Sequence, residues 1–126
     1  MPNSSQPSLL NDIAKMIAPD GIMRIPENLA AFQGHFPSNP ILPGIYSIQL
    51  ALGHLELKLR QRVKLHSIQR CKFNRPLVPG MVIQVESKLG TRTENRQSAT
   101  VIFFSQDEPK AHPILEVHLV VEIVHE

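Results

Sequence analysis

Hydrophobic and polar residues alternate along this chain with two different periods, and the period changes near residue 62. Between residues 44 and 62 the apolar side chains recur every three or four positions, with no internal proline, at Ile45, Ile48, Leu52, Leu55 and Leu59. This spacing is typical of a helix with one apolar face. The pattern therefore predicts one long helix over about residues 44 to 62, with that face packed under a sheet.

After residue 62 the pattern is typical of strands. In the last segment the apolar residues Leu115, Val117, Leu119, Val121 and Ile123 alternate with Glu116, His118, Val120 and Glu122. Such alternation predicts a sheet with one buried face. We predict four strands, at residues 65–75, 81–89, 98–106 and 114–124, because the segments between them contain turn-forming residues.

The segments before the helix are shorter and richer in proline. Residues 9–17 fit either a short helix or an irregular strand, and residues 22–25 form an extended run that ends at Pro26. Three prolines stiffen residues 33–44 into a loop that cannot be helical. The order of short strand, one helix and four antiparallel strands predicts an α+β fold in which the sheet wraps around the helix.

The composition indicates a globular protein of one domain. The chain has 126 residues, of which 42% are hydrophobic and 19% charged. We predict a flexible tail at residues 1–8 and a single domain at residues 9–126. We expect no membrane span and no secretion signal, since no apolar run is long enough and the first residues are polar. The single cysteine, Cys71, cannot form an internal disulfide, so we expect a cytoplasmic protein in which Cys71 is a small buried side chain.

Basic residues are concentrated in one stretch, although the net charge of +2 is too small to indicate a nucleic-acid partner. Seven of the thirteen Lys and Arg residues lie there without an acidic residue among them, at Lys58, Arg60, Arg62, Lys64, Arg70, Lys72 and Arg75. One interpretation is a solvated helix end and strand. The other is a local positive field that speeds the encounter with an acidic partner and weakens with salt.

Two sequence blocks resemble one known family. Residues 32–45 read FQGHFPSNPILPGI, and residues 72–80 read KFNRPLVPG. The first block is similar to the active-site loop of the hotdog-fold 3-hydroxyacyl-acyl-carrier-protein dehydratases of fatty acid synthesis, and the second to their following strand and turn. The resemblance covers residues 20 to 124. It implies a hotdog fold, in which an antiparallel sheet wraps around one long central helix, and a dimer with its acyl tunnel at the subunit boundary.

The resemblance also implies roles for individual residues. His35 would be the base that removes the proton alpha to the thioester, a role suited to a group whose pKa is about 6.5. Gly44 would offer its backbone amide to the enolate oxygen, as the unpaired amides of a helix start can do. The substrate-binding residues would be Phe36, Pro43, Ile45 and Tyr46. From the residues alone, His35 could instead bind a backbone carbonyl, and Gly44 could merely open the helix.

The chain departs from the family pattern at Gln49, where the family has Glu or Asp. Glutamine can orient a hydroxyl or a water molecule but cannot deliver a proton. Loss of a general acid typically costs about 100- to 10,000-fold in rate. Substitutes are poorly placed: Glu56 lies about 10 Å farther along the helix axis, Tyr46 is expected to pack, and His54 is expected at the surface or at an interface.

Three functions remain open after these observations. The chain is a dehydratase or hydratase of 3-hydroxyacyl thioesters linked to acyl carrier protein or to CoA, a catalytically incomplete subunit of a hetero-oligomeric dehydratase, or an acyl-thioesterase or thioester binder. The seven basic residues would dock an acidic carrier protein. We expect no cofactor, no metal and no nucleic acid. The assembly would be a homodimer or higher oligomer, or a heterodimer with an acid-bearing paralogue.

Overall fold

The computed structural model of the chain describes residues 17–26, 44–108 and 112–125. The predictions for the tail at residues 1–8, for most of the segment 9–17 and for the loop up to residue 43 lie outside the described residues. What is described is one antiparallel sheet and one helix. The elements are β1 (Ile22–Arg24), α1 (Gly44–Leu59), β2 (Val63–Phe73), β3 (Val82–Arg92), β4 (Arg96–Ser105) and β5 (Leu115–Ile123).

The sheet has the order β1-β3-β4-β5-β2, and all neighbouring strands are antiparallel. Every second residue of β5 is buried, as its alternating sequence predicts, and β4 follows the same alternation along most of its length. The buried side chains of β4 and β5 form a core with residues of the helix. Among these strand residues are Val101, Phe103, Val117 and Leu119. The α+β prediction is therefore confirmed, with strand boundaries within three residues of those predicted.

Helix α1 ends three residues before the predicted boundary. Arg60 has a φ of 55°, in the left-handed region, and its amide donates a hydrogen bond of 2.8 Å to the carbonyl of Glu56. The Glu56 carboxylate in turn accepts a hydrogen bond of 2.9 Å from the amide of Val63, the first residue of β2. These contacts close the helix and turn the chain directly into the strand.

The buried side of α1 differs from the predicted stripe. Ile48 and Leu55 are buried, as predicted, but Ile45 is 57% exposed and Leu52 and Leu59 are only partly buried. The buried residues of α1 are Ser47, Ile48, Leu50, Ala51, Gly53, His54 and Leu55. The prediction failed because α1 carries apolar residues on nearly all sides, so the period marks a helix without marking which face the sheet covers.

Within the described residues, no helix is long and apolar enough to cross a membrane.

Candidate active site

The start of α1 is the first part of the predicted site that the structure describes. Gly44 is the first residue of the helix and is exposed. The amides of a helix's first turn have no partner within the helix and carry its positive partial charge. The ring of Phe73, at the end of β2, lies against this residue, since a Cβ on Gly44 would stand 3.3 Å from the Phe73 Cζ atom. The Gly44 backbone is thus open to a ligand beside an aromatic ring.

Phe73 is a candidate site residue to which the sequence pattern assigned no role. Its side chain is 51% exposed at the position where the chain leaves β2. The signal was present, because Phe73 lies in the second block of the family resemblance. Sequence spacing alone could not place it, since nearly thirty residues separate it from Gly44.

Gln49 lies on the side of α1 that is turned away from the sheet. Successive helical residues advance by about 100°, which puts Gln49 on the same side as Ile45 and Glu56 and roughly opposite Ala51. Ala51 is fully buried, Ile45 is exposed, and Gln49 is half-buried. The position that carries the family's acid therefore faces outward from the described sheet.

Two of the possible replacement acids are engaged elsewhere. Glu56 accepts the hydrogen bond from the Val63 amide at the far end of the helix. Tyr46 is half-buried and packs against the hydrophobic core, as expected. Neither contact brings an acid to Gln49.

His54 is buried, so the expectation of a surface or interface histidine was wrong. Its Nε2 atom lies 2.8 Å from the Ser87 hydroxyl, and Lys58 Nζ donates a hydrogen bond of 2.8 Å to the Ser87 carbonyl. Burial lowers the pKa of His54, the charge of Lys58 lowers it further, and Glu86 acts in the opposite direction. A neutral His54 therefore joins the helix to β3. Sequence spacing could not show this contact, because the partner, Ser87, lies 33 residues away.

Cys71 is exposed, which corrects the prediction of a buried side chain. It lies on β2, the last strand of the sheet, where most residues are exposed, and strand alternation cannot reveal which strand of a sheet is left exposed. Partial burial raises the pKa of the thiol. Because the thiolate is the reactive form, this environment does not activate Cys71 as a nucleophile.

The seven basic residues lie toward the two ends of β2, and some of them have acidic neighbours. Lys64 pairs with Glu122 of β5 at 3.4 Å, and Arg75 pairs with Glu108. Arg60 and Arg62 are exposed in the turn after the helix. The field is thus weaker than the sequence run alone indicates, and its separate parts can be tested separately.

Three predicted site residues lie outside the described residues: His35, Phe36 and Pro43. Their distances to Gly44 and Gln49 therefore stay untested. The described residues that carry predicted roles, Gly44, Ile45, Tyr46 and Gln49, share the first two turns of α1. Residues 17–26, 44–108 and 112–125 contain no group of three His, Cys, Asp or Glu side chains that could hold a metal ion.

Comparison with known proteins identifies the family. Residues 16–112 match the family model described as ApeI-like, ApeI dehydratase. The chain belongs to the ApeI-like family. This assignment confirms the dehydratase resemblance found in the two sequence blocks, and the ApeI-like match includes every candidate site residue named above.

Curated relatives of this ApeI-like chain are 3-hydroxyacyl-[acyl-carrier-protein] dehydratases named FabZ. The relative from Alkaliphilus metalliredigens is 36% identical over 77 residues, covering 55% of this chain and 52% of the relative. The relative from Rhodopseudomonas palustris strain HaA2 is 33% identical over 95 residues, covering 65% of this chain and 63% of the relative. The aligned part spans between half and two-thirds of the length of these enzymes.

Solved structures confirm the hotdog fold. The dehydratase heterocomplex ApeI:P from Xenorhabdus doucetiae aligns with a TM-score of 0.66 and 21% identity, over 80% of this chain and 83% of that one. A hexameric hotdog fold thioesterase of Campylobacter jejuni aligns with a TM-score of 0.63 and 18% identity, over 87% and 85%. Because dehydratase and thioesterase share this fold at such identities, the structural likeness identifies the architecture and leaves the reaction to the site.

Proposed function

We propose that this chain is a dehydratase subunit that removes water from a 3-hydroxyacyl thioester to give the enoyl thioester, or adds water in the reverse direction. The observation that carries the proposal is the placement of Gly44 and Gln49 on the first two turns of α1, within a chain of the ApeI-like dehydratase family. The acyl group is carried by acyl carrier protein or by CoA.

The chemistry divides among three residues. His35 takes the proton alpha to the thioester, the Gly44 amide binds the oxygen on which the negative charge develops, and Gln49 orients the β-hydroxyl. As the double bond forms, the β carbon–oxygen bond breaks and the leaving oxygen needs a proton. Gln49 cannot supply it, because an amide is a hydrogen-bond donor and not an acid at neutral pH. In the chain acting alone, the imidazolium of His35 therefore returns the proton it took from the alpha carbon to the leaving oxygen, and water departs.

The outward position of Gln49 supports a second candidate, a subunit whose site is completed by another chain. A residue on the side of α1 away from its own sheet is available to a neighbouring subunit, and Ile45 on that side is 57% exposed. A partner that carries a carboxylate at the equivalent position would supply the missing acid to the site of His35. The similarity to a dehydratase heterocomplex supports such an assembly.

The deciding experiment is the turnover of a 3-hydroxyacyl carrier-protein thioester by the purified chain, followed by mass spectrometry of the acyl group. We expect enoyl product from the unmodified chain and its loss in His35→Ala. We expect Gln49→Glu to raise turnover by roughly 100-fold or more, which is the typical contribution of a general acid. Glu56→Gln is the matched control, since it makes the converse exchange on the same side of the helix.

Other results lead to different conclusions. No product from the unmodified chain, with a gain in Gln49→Glu, would favour the incomplete subunit. Release of the free acid with no enoyl product would contradict a dehydratase and indicate a thioesterase. Unchanged turnover in His35→Ala would remove His35 from the mechanism.

Carrier-protein docking makes a separate prediction at the exposed turn after α1. Reversing both charges, Arg60→Glu with Arg62→Glu, should slow turnover of the carrier-linked substrate about tenfold at low salt and flatten its salt dependence, because steering depends on charge. Turnover of the CoA-linked substrate and the equal charge change Lys88→Glu with Arg92→Glu serve as controls. Unchanged carrier-linked kinetics would contradict docking at this turn.

A further inference from the structure

The outer face of the sheet carries a threonine, a histidine and a glutamate in one hydrogen-bonded chain. The Thr100 hydroxyl lies 3.1 Å from His118 Nδ1, and His118 Nε2 lies 2.7 Å from the Glu116 carboxylate. Val117 and Leu119, the neighbours of His118, are buried in the core, so the alternation of β5 turns His118 to the opposite face. This chain of side chains is therefore separate from the candidate active site at the start of α1.

Strand pairing fixes the three side chains relative to one another. Thr100 of β4 is directly opposite His118 of β5, and Glu116 lies two residues before His118 on the same face. Both strands have a neighbour on each side in the sheet order. Because regular elements hold side chains more firmly than loops do, the hydroxyl, the ring and the carboxylate are held in place before any ligand arrives.

The Glu116 carboxylate determines which ring nitrogen carries the hydrogen. A carboxylate only accepts hydrogen bonds, so the N–H that faces Glu116 is on Nε2 of His118. In the neutral ring, Nδ1 is then an acceptor, and the Thr100 hydroxyl donates to it. A hydroxyl, an imidazole and a carboxylate connected in this order have the roles of nucleophile, base and orienting group.

A cavity of about 320 Å³ opens over the hydroxyl and the ring. Thr100 and His118 line it together with Gln69, Gly90 and Ser98. A Cβ on Gly90 would collide with the Ser98 hydroxyl, so this wall carries no side chain at residue 90. The volume is at the lower end of the range for ligand sites, so the cavity fits a small molecule.

Gln69 places a further hydrogen-bond donor in this cavity. Its side-chain amide donates one N–H to the Ser67 hydroxyl at 2.9 Å and has a second N–H. Such a donor stabilises the oxygen that gains negative charge when an ester carbonyl is attacked. The nucleophile, the base and this donor therefore line the same small polar cavity.

We propose that Thr100, His118 and Glu116 form a second catalytic site, which hydrolyses small carboxylic esters. Thr100 Oγ1 attacks the carbonyl carbon and its proton passes to His118 Nδ1. The bond from that carbon to the alcohol oxygen breaks, and His118 gives the proton to the departing alcohol. Water then attacks the acyl group on Thr100 and gives a proton to His118. The bond to Oγ1 breaks, His118 returns the proton to Oγ1, and the carboxylic acid leaves. Thr100 and His118 are the catalytic residues, and Glu116 is a positioning residue.

The test is the hydrolysis of 4-nitrophenyl acetate by the purified chain, followed by the absorbance of the released 4-nitrophenolate. We expect Thr100→Val to lower kcat/KM at least about tenfold, because valine has nearly the same shape and suits a strand but has no hydroxyl. Thr100→Ser keeps the nucleophile and should retain most of the activity. Mass spectrometry of peptides from an acid-quenched reaction should find the acetyl group on Thr100.

Further variants separate the roles of the ring and the carboxylate. His118→Gln should abolish the activity that depends on Thr100. Glu116→Gln should lower kcat about tenfold or more and leave KM unchanged, because an amide does not hold the ring in the required tautomer. A purely structural role would not separate kcat from KM in this way. The matched controls Thr93→Val and His66→Gln remove an exposed threonine and an exposed histidine elsewhere, and neither should change the rate.

Three results would overturn the inference. These are hydrolysis by the unmodified chain no faster than by Thr100→Val, an acetyl group on other residues but not on Thr100, and a loss in His118→Gln that Thr100→Val does not share. The last result would make the imidazole itself the nucleophile. The site is independent of the proposed dehydratase, so His35→Ala should keep ester hydrolysis and Thr100→Val should keep dehydration. Loss of both activities in Thr100→Val would contradict a separate site.

Discussion

His54 is the titratable residue whose environment the fold changes most clearly. It is 9% exposed, its imidazole shares a hydrogen bond with Ser87, and Lys58 lies on the next turn of the helix. Burial and the neighbouring ammonium both oppose a positive charge on the ring, so the pKa falls below that of a solvated histidine. The neutral ring is therefore part of the attachment of α1 to β3.

The pH dependence of stability follows from this shift. Because folding lowers the pKa of His54, the unfolded chain binds more protons near neutrality, and stability rises with pH. The contribution is complete above the unfolded pKa of about 6.5 and is lost as the pH falls through the folded pKa. Urea unfolding between pH 7.5 and pH 5 should show this loss in the unmodified chain and a smaller loss in His54→Gln. Equal pH profiles would contradict it.

Helix α1 is fixed at both ends by contacts with β2. Its start lies against Phe73, and its end is closed by Arg60 in a left-handed conformation and by the bond from Val63 to Glu56. Glycine is the usual residue at such a helix end, since a side chain there meets the following carbonyl. Arg60 thus carries a backbone cost that the tight connection requires.

Replacing Arg60 measures that cost. A left-handed backbone costs a non-glycine residue about 1–2 kcal/mol, and glycine's extra freedom in the unfolded chain offsets about 0.5–1 kcal/mol of the relief. Arg60→Gly should therefore raise the free energy of unfolding by about 0.5–1 kcal/mol. Arg60→Ala is the matched control and should change little, because alanine keeps the same cost. Chemical denaturation decides, and no difference between the two variants would contradict the assignment.

Across the whole molecule, the core ends before the edge of the sheet. Phe103, on β4, is completely buried and belongs to the core between sheet and helix. Phe73, on β2, is half-exposed although it also shares the face that carries the core. The strand meets the helix at its start, where Phe73 lies against Gly44, so the exposed end of β2 adjoins the first turn of α1.

Truncation of the two phenylalanines tests this boundary. Phe103→Ala should destabilise the chain by about 3–5 kcal/mol, since it leaves a cavity in a packed core. Phe73→Ala should change the stability of the isolated chain by about 0.5 kcal/mol or less, as for an exposed residue. Urea unfolding of both variants at low protein concentration makes the comparison. Similar losses for the two would place β2 inside the core.

The amino-acid sequence by itself determined the element types, the order of elements and the family. Local periodicity was sufficient for β5, where each second residue of 115–123 is buried, and for the existence of α1. The motif around Gly44 and the replacement at Gln49 were also visible, because they depend on neighbours along the chain. The roles of His35, Phe36 and Pro43 remain predictions of the sequence alone.

Only the tertiary structure decided which faces are covered. Ile45 and Cys71 were expected to be buried and are exposed, while His54 was expected at the surface or at an interface and is buried within the chain. The physical reason is that a periodic pattern reports that a residue is apolar, whereas burial depends on which element lies opposite. That element comes from a distant part of the chain for His54, whereas among the described residues no strand lies beyond β2.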